Sequence, residues 1–481
     1  MSISTALGSA VSGLSATAVQ TEVVASNIAN ALTEGYGARS TTLSSRVGGG
    51  VSVDGISRQV DQALLRDRRL ADAGTAEAEV LARFFSDLAN LAGTPESAQS
   101  LPNLYATFDA ALLEAASSPE STARLDAAVD AAAALARQIN TVSDGTQQLR
   151  QDADAAIAAT VENLNASLSQ VADLNALILR NSGAGRDVAA LVDQRQILID
   201  GISEAVPVRV YERDNGTVAL YSATGATLLD VTPATFGFEG KGVITADMTL
   251  ASGALSGLTI NGQPASTSGT SSAIAGGALA GYFTIRDESA VTAQANLDGM
   301  ARDLVERFED PTLDTTLLPG DAGLFTDAGT ALDPLDEVGL AGRLAINDLV
   351  NPREGGESWR LRDGLGAVAQ GPVGDATLLY GLVDASTTPR IAASGNFGGI
   401  ALSGAGTAGA FLSSIANEQN AADAAASYQR AQRDSLLALE LGQGVNTDQE
   451  LQKLLLIEQN YAANARVIQT VDQLLQELLR I

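Results

Sequence analysis

The chain has 481 residues, a formal net charge of −28 and an aromatic content of only 4%. A charge of this sign and size repels nucleic-acid phosphates and anionic lipids, so both are poor partners. Cysteine and histidine are absent, which excludes thiolate nucleophiles, imidazole bases and the usual zinc ligands and leaves only carboxylate or lysine chemistry.

An amphipathic helix is predicted at the start of the chain, over residues 3 to 32. Apolar and small residues recur there at spacings of four and three, and no proline interrupts them. This spacing places Leu7, Leu14, Val24 and Ile28 on one helical face. The residues Ala18, Ala25 and Leu32 are predicted to widen that face.

An extended arm is predicted after this helix. Gly35 and Tyr36 follow an asparagine-containing helix end, and residues 40 to 60 are rich in Ser, Thr, Val and Gly. Glycine and asparagine are typical of helix ends and turns, and β-branched residues are typical of strands. The glycines at 48 to 50 are predicted to form part of a hinge.

Long helices dominate the next part of the chain. Residues 61 to 91 have helical periodicity, and Ser118 followed by Pro119 predicts the start of a second helical stretch. That stretch continues towards residue 180, with a possible kink at Asp144-Gly145, and would form a rod of roughly 90 Å. In the following helix, over 188 to 202, Asp193 and Arg195 point to different faces, which favours interhelical contacts over a catalytic pair.

Two β-rich modules are predicted in the middle of the chain. Residues 204 to 282 change to a period of two, with Asn215-Gly216 as a hairpin turn. A second module is predicted over 336 to 400. The fold class is therefore mainly α with inserted β modules, and the remaining segments, 41 to 203, 283 to 335 and 401 to 440, are assigned to one helical domain.

Two patterns resemble chemical sites but favour simpler explanations. The run GAGTAG at 404 to 409 lacks the strands that a dinucleotide site needs on either side, so a flexible joint is predicted. Acidic clusters occur at Glu306, Glu309, Asp310 and Asp314 and again at 333 to 337. They lack the spacing of a calcium loop and are predicted to be solvated loop charge. We expect no catalytic, cofactor or metal site.

A coiled-coil seam is predicted near the end of the chain. The heptad positions of residues 454 to 478 are apolar at seven of eight places, with Asn464 as the polar one. Such a seam needs a partner, and the N-terminal helix offers one. Periodicity alone also fits two ordinary surface helices that pack on a globular core. With the two helices paired, 1 to 40 and 441 to 481 are predicted to form one terminal domain. We call the twelve predicted contact residues the inner seam: Leu7, Leu14, Val24, Ile28, Leu454, Ile457, Tyr461, Asn464, Ile468, Val471, Leu475 and Leu478.

The charge distribution agrees with this pairing of the two ends. Residues 1 to 45 carry one positive and two negative groups, and residues 441 to 481 carry three positive and five negative groups. The ends are therefore nearly neutral, and the acidic surplus lies in the middle of the chain. No stretch approaches the roughly 18 apolar residues of a membrane span, and the N-terminus lacks the features of a cleavable signal peptide.

Motifs at both ends resemble those of the bacterial flagellar axial proteins. They are ASNIAN at 25 to 30 with Gly35 and Tyr36, and EQNYAANARVIQT at 458 to 470. Four middle segments resemble the hook-associated members, which join hook to filament: LVDQRQILI at 191 to 199, RDE at 286 to 288, GLF at 323 to 325 and WRLRDG at 359 to 364. The residue after Tyr36 departs from the family pattern, because Gly37 stands where threonine or lysine is expected.

This resemblance implies a structural protein without enzymatic activity. It implies uncleaved export through the flagellar type III apparatus, an extracellular location, and a ring of about eleven subunits at the hook tip. The implied partners are other copies of the chain, the hook protein, the next hook-associated protein on the filament side and a cytoplasmic export chaperone. The alternatives are a hook or other axial subunit, which should lack the long middle helices, and an acidic surface adhesin or enzyme, which would need carboxylates converging in a pocket.

Overall fold

The computed structural model describes residues 3–33, 35–94 and 96–480, without the side chain of Leu478. The described residues form twelve α-helices and ten β-strands. The helices are α1 (Ile3–Ala29), α2 (Gln62–Ala92), α3 (Leu101–Ser117), α4 (Thr122–Gly183), α5 (Ala189–Ala205), α6 (Ala278–Thr284), α7 (Ala290–Phe308), α8 (Leu340–Arg343), α9 (Arg360–Asp363), α10 (Thr377–Thr387), α11 (Gly404–Gln443) and α12 (Thr447–Arg480). The fold is mainly helical with small sheets, as the sequence predicts.

The strands form four small antiparallel sheets. They are β1 (Ala38–Ser45), β2 (Val51–Gln59), β3 (Val208–Glu212), β4 (Val218–Ser222), β5 (Thr227–Leu229), β6 (Phe236–Gly237), β7 (Leu258–Ile260), β8 (Gln263–Ala265), β9 (Phe325–Asp327) and β10 (Leu344–Ile346). The strand orders are β1-β2, β3-β4-β5, β6-β7-β8 and β10-β9. We call the β1-β2 hairpin the arm.

Helix α4 is the spine of the molecule. Its 62 residues correspond to a length of about 93 Å. The helix starts one residue after its N-cap Ser121, so the start predicted at Ser118-Pro119 is wrong by a turn. The helix is continuous through Gly145, the place of the possible kink at Asp144-Gly145. A Cβ atom at Gly145 would lie 2.6 Å from Leu91 Cδ1, so this glycine permits close packing of α2 against α4.

Two hydrophobic cores lie along this spine. The first packs the N-terminal half of α4 against α3, α7, α10 and the start of α11, and includes the edge-on rings of Phe108, Phe308 and Phe325. The second packs residues 157 to 171 of α4 against α5, α6 and the sheets between residues 208 and 265. Beyond these cores, α11 packs along α2, and α12 packs along α1.

Residues 336 to 400 do not form the predicted β-rich module. This stretch contains one three-residue strand, β10, with short helices and loops. Residues 359 to 364, which fall within the predicted module, make a single helical turn that buries Leu361. In α10, Leu379 and Leu382 have a helical spacing and join the first core. Burial of leucines on helical faces therefore decides the structure of this stretch.

The joint predicted at residues 404 to 409 is likewise wrong. These residues form the first turns of α11, and the Ser403 hydroxyl accepts a hydrogen bond from the Gly406 N–H as an N-cap. A Cβ atom at Gly404 would lie 2.6 Å from Tyr105 Cε1. The glycine thus permits close contact with a buried aromatic ring rather than flexibility.

Candidate assembly interface

The two terminal helices, α1 and α12, pack along one another. Of the inner seam, Val24, Ile457 and Val471 are buried. Six further members are half-buried: Leu7, Leu14, Ile28, Leu454, Asn464 and Ile468. Tyr461 and Leu475 remain exposed, and the side chain of Leu478 lies outside the described atoms. A single chain therefore covers only part of its predicted seam.

Asn464 sits in a notch formed by a glycine of the opposite helix. A Cβ atom at Gly13 would lie 2.6 Å from the Asn464 side-chain nitrogen and 2.8 Å from its carbonyl oxygen. Any larger residue at position 13 would displace this amide. Sequence reasoning missed Gly13, although a glycine inside a helical run commonly marks a close approach.

A second apolar surface on α12 lies outside the pair. Leu456, Val467 and Leu474 are 59%, 43% and 44% exposed, and Ala463 is also exposed. The successive spacings of seven, four and seven place these four residues on one face of the helix. We call them the outer stripe.

The exposed face of α1 is built from small residues at the same kind of spacing. It consists of Gly8, Val11, Ser15, Ala18, Ala25 and Ala29, with Glu22 as its charged member. Leu32, just beyond the helix, is 97% exposed. The prediction that Ala18, Ala25 and Leu32 widen the paired face is therefore wrong, because these residues face away from α12. The sequence pattern could not separate two adjacent faces with the same spacing.

A buried asparagine connects the terminal helices to the arm. The Asn27 side-chain nitrogen donates to the Arg39 carbonyl at 2.8 Å and to Glu450 Oε2 at 3.1 Å. Its carbonyl oxygen accepts from the Arg39 N–H at 3.0 Å and from the Tyr36 hydroxyl at 2.8 Å. Asn27 is only 1% exposed, so all four of its hydrogen bonds are made to protein. It holds the end of α1, the arm and the start of α12 in one arrangement.

A carboxylate on α5 anchors the arm to the body. Asp193 accepts from the Gly37 N–H at 3.3 Å, from Arg39 Nη2 at 2.8 Å and from Arg58 Nε at 2.7 Å. A Cβ atom at Gly37 would clash with the Arg58 guanidinium. The departure from the family pattern at position 37 therefore leaves room for the Arg58–Asp193 ion pair. Arg195 points elsewhere and donates to the Asn175 side chain on α4.

A second ionic cluster lies where α2, α5 and α11 meet. Arg68 pairs with Asp72, Asp200 and Glu440, and Arg69 pairs with Asp200 at 2.6 Å. Burial raises the pKa of the Asp72 and Glu440 carboxyls, with the Arg68 charge opposing it. Burial also opposes the charged form of Arg68, but its three carboxylates outweigh that effect, and its pKa is raised. The cluster ties the C-terminal end of α11 to the body.

Three members of the acidic clusters noted in the sequence have structural partners. Glu306 pairs with Arg302 and Arg390, and Glu337 pairs with Arg302. Asp314 is 5% exposed and accepts from the Leu365 N–H at 2.7 Å. The prediction of solvated loop charge is therefore wrong for these three residues. Long-range partners of this kind cannot be identified from local spacing.

Among the described residues, no three Asp, Glu, Cys or His side chains come together as a possible metal site. None of the described helices combines the length and the apolarity that crossing a bilayer requires.

Three protein-family models match the chain. Residues 85–323 match the flagellar hook-associated protein FlgK helical domain. Residues 7–36 match the flagella basal body rod protein, and residues 441–481 match the flagellar basal body rod FlgEFG protein C-terminal region. The two terminal matches coincide with the paired helices, and the central match includes all of α4 and the second core.

Several curated proteins are similar to the chain. Flagellar hook-associated protein 1 of Salmonella typhimurium is 28% identical over 238 residues, covering 47% of this chain and 43% of the relative. The Escherichia coli K12 protein of the same name is 28% identical over 241 residues, with the same shares. The chain thus spans less than half the length of these relatives. The Bacillus subtilis protein of that name is 24% identical over 505 residues, covering 97% of this chain and 96% of the relative.

A solved structure is also similar to the chain. It is the flagellar hook junction protein FlgK from Burkholderia pseudomallei, with a TM-score of 0.45 and 20% sequence identity. The match covers 55% of this chain and 47% of the solved one.

Proposed function

We propose that this chain, which belongs to the flagellar hook-associated protein family, is a structural subunit that joins the hook of the bacterial flagellum to its filament. The proposal rests on one observation in particular. The paired terminal helices expose a second apolar stripe, and its four members follow heptad spacing along α12. A subunit of this kind acts by assembly, and we propose no enzymatic activity for it.

The outer stripe has a complementary surface on another copy of the chain. Leucine and valine side chains on α12 would pack against the small residues exposed on α1 of a neighbour, which allow close approach of the helices. Such a contact joins two different surfaces, so it repeats from subunit to subunit and closes into a ring when the rotation permits. Burying each exposed leucine would contribute about 1.5–3 kcal/mol.

The inner seam has two roles in this proposal. Val24, Ile457 and Val471 hold the two helices of one subunit together. Tyr461 is 52% exposed and Leu475 is 39% exposed, so we assign both to contacts with neighbouring subunits. Asn464, seated against Gly13, would fix the register of the pair, as polar seam residues do in coiled coils.

The proposed partners follow from the same assembly. They are further copies of the chain in a ring, the hook protein below it, and the next hook-associated protein on the filament side. Before assembly, an export chaperone would cover the exposed apolar helices in the cytoplasm. The subunit would then leave through the flagellar type III apparatus without cleavage and act outside the cell.

The test is complementation of a deletion strain. Cells lacking the gene should build hooks without filaments and lose filament subunits to the medium. The wild-type chain should restore motility, and Leu456→Asp or Val467→Asp should not, because each buries a charge in the proposed contact. Both residues are exposed in the single chain, so the variants should fold and be secreted normally.

Gln469→Asp is the matched control, since Gln469 is exposed on a different face of α12. It should restore motility. Full motility with both stripe variants would refute the assembly surface. A deletion strain without hooks would instead indicate a hook subunit.

A further inference from the structure

Strand β3 is an open edge of its sheet. The order β3-β4-β5 leaves β3 paired only with β4, in an unbroken register from Val208 to Glu212. Its sequence, VRVYE, contains no proline, and the pairing contains no bulge. Proline and bulges are two of the devices that protect an edge strand from pairing with another chain, and a third, charged side chains, is represented here by Arg209 and Glu212.

The free backbone groups of β3 can be identified from the hydrogen bonds at its two ends. Beyond one end, the Arg213 N–H donates to the Thr217 carbonyl, and at the other the Ala223 N–H donates to the Pro207 carbonyl. Hydrogen-bonded pairs alternate along an antiparallel ladder, so the odd-numbered residues of β3 face β4. The N–H and C=O groups of Val210 and Glu212 therefore point away from the sheet. Within the described part of the chain, no other backbone group hydrogen-bonds to them.

A groove runs between this edge and the first turns of α2. Its volume is about 610 Å³, and its apolar lining includes Leu70, Val210 and Tyr211. The five residues of β3 extend over about 17 Å. The groove therefore offers an extended segment both backbone partners and apolar contact.

The charge of the groove contrasts with that of the chain. Arg66, Arg69 and Arg209 line it, and Asp67 is the acidic member of the same lining. Arg66 pairs with Asp67, and Arg69 pairs with Asp200 on α5. The Arg209 guanidinium forms no ion pair with any described residue. Glu212, the carboxylate of the same strand, accepts a hydrogen bond from Gln62 Nε2 at 2.9 Å. In a protein of net charge −28, Arg209 is thus a cation without a described ion-pair partner at an open strand edge.

The outer face of the strand adds aromatic surface. Tyr211 is 56% exposed, and its ring stacks edge-on against that of Tyr221, with 5.4 Å between centroids. Tyrosine and arginine are the residue types that most often dominate binding energy at protein interfaces. Here both types flank the same open edge.

We propose that β3 binds an extended acidic segment of a partner protein as an added strand. Backbone groups of Val210 and Glu212 would pair with the segment, and its carboxylates would meet Arg209. This is the strand-addition mode of peptide recognition, in which main-chain hydrogen bonds provide affinity and side chains provide specificity. The site uses none of the terminal-helix residues, so it is independent of the proposed ring contact.

The test uses two labelled peptides and the full-length protein. The acidic probe is Thr-Val-Glu-Val-Asp-Val, and the neutral probe carries Gln and Asn in place of its two acids. The acidic probe should bind and slow hydrogen exchange at the amides of Val210 and Glu212. The neutral probe should bind about tenfold more weakly, the range expected when a charge-assisted contact is lost.

Two variants should weaken the acidic probe to a similar extent. Val210→Pro removes an N–H that faces away from β4, a position where edge strands tolerate proline, and circular dichroism would verify its fold. Arg209→Glu reverses the unpaired charge without changing the backbone. The matched control is Arg353→Glu, at an exposed arginine paired with Asp130, which should bind like the wild type.

Three outcomes would overturn the proposal. The first is equal binding of both probes, and the second is binding that leaves the two amides unprotected. The third is a concentration-dependent dimer that Val210→Pro abolishes, because the edge would then pair with a second copy of the chain.

Discussion

Replacing Asn27 by alanine should loosen the connection between the terminal helices and the arm. The substitution removes four hydrogen bonds of 2.8 to 3.1 Å from a side chain that is 1% exposed. Each contributes about 0.5–1.5 kcal/mol net, so local opening should become easier by about 3 kcal/mol. That corresponds to about a 100-fold larger opening constant.

Hydrogen exchange measures this change directly. The Arg39 amide donates to the Asn27 carbonyl oxygen, so its exchange should accelerate by about two orders of magnitude. Amides at the start of α12, around Glu450, should accelerate with it. The exchange of α4 amides in the first core should not change, because local opening around Asn27 leaves that core intact.

Asn30→Ala is the matched control for this experiment. Asn30 lies three residues further along, and among the described residues its side chain hydrogen-bonds to the nearby Ser26 carbonyl and the Thr33 hydroxyl. Its removal should change Arg39 exchange by less than about threefold. If both variants behave alike, Asn27 is not the residue that connects the terminal helices to the arm.

Three further predictions concern other parts of the molecule. Protease should remove roughly the first and last 40 residues of the soluble monomer before it cuts α4, since one chain only partly covers its seam; strong protection of both ends would contradict this. Gly404→Ala should destabilise the fold by about 1–3 kcal/mol in chemical denaturation, because its Cβ would meet Tyr105. Its control, Gly409→Ala, has open space around the added Cβ and should stabilise the fold by up to about 1 kcal/mol. Burial raises the pKa of Glu440, so the folded state binds its proton more tightly than the unfolded state does. The resulting stability penalty at neutral pH disappears as the pH falls through the folded pKa. The melting temperature of Glu440→Gln minus that of the wild type should therefore be more positive at pH 7 than at pH 4.5, and an unchanged difference would refute this.

The long helices could be predicted because their signal is both local and repeated. Helices α1, α4 and α12 each carry apolar residues at helical spacing over many turns. The failures are short segments whose neighbours decide their structure. The run at 404 to 409 opens α11, where Gly404 packs on Tyr105, and no pattern within those six residues reveals a ring three hundred positions away.

The contacts that Asn27 and Asp193 make with the arm could not be predicted for a related reason. Asn27 and Glu450 are separated by 423 residues, and Asp193 reaches Arg39 and Arg58 across more than a hundred. Each residue is unremarkable in its local sequence. The resemblance to axial proteins drew attention to the motif around Asn27, but only the structure shows which groups the side chain connects.

The hydrogen bonds of Asn27 and the outer stripe together suggest how a neighbour could orient the whole subunit. The stripe lies on α12, and Asn27 holds the start of α12 to the arm through Glu450. Asp193 in turn holds the arm to α5 and hence to the second core. Contacts between nearly neutral terminal helices would therefore set the direction of an acidic body without requiring contact between the bodies. Because like charges repel and salt screens them, the spacing of the bodies should depend on ionic strength more than the packing of the helices does.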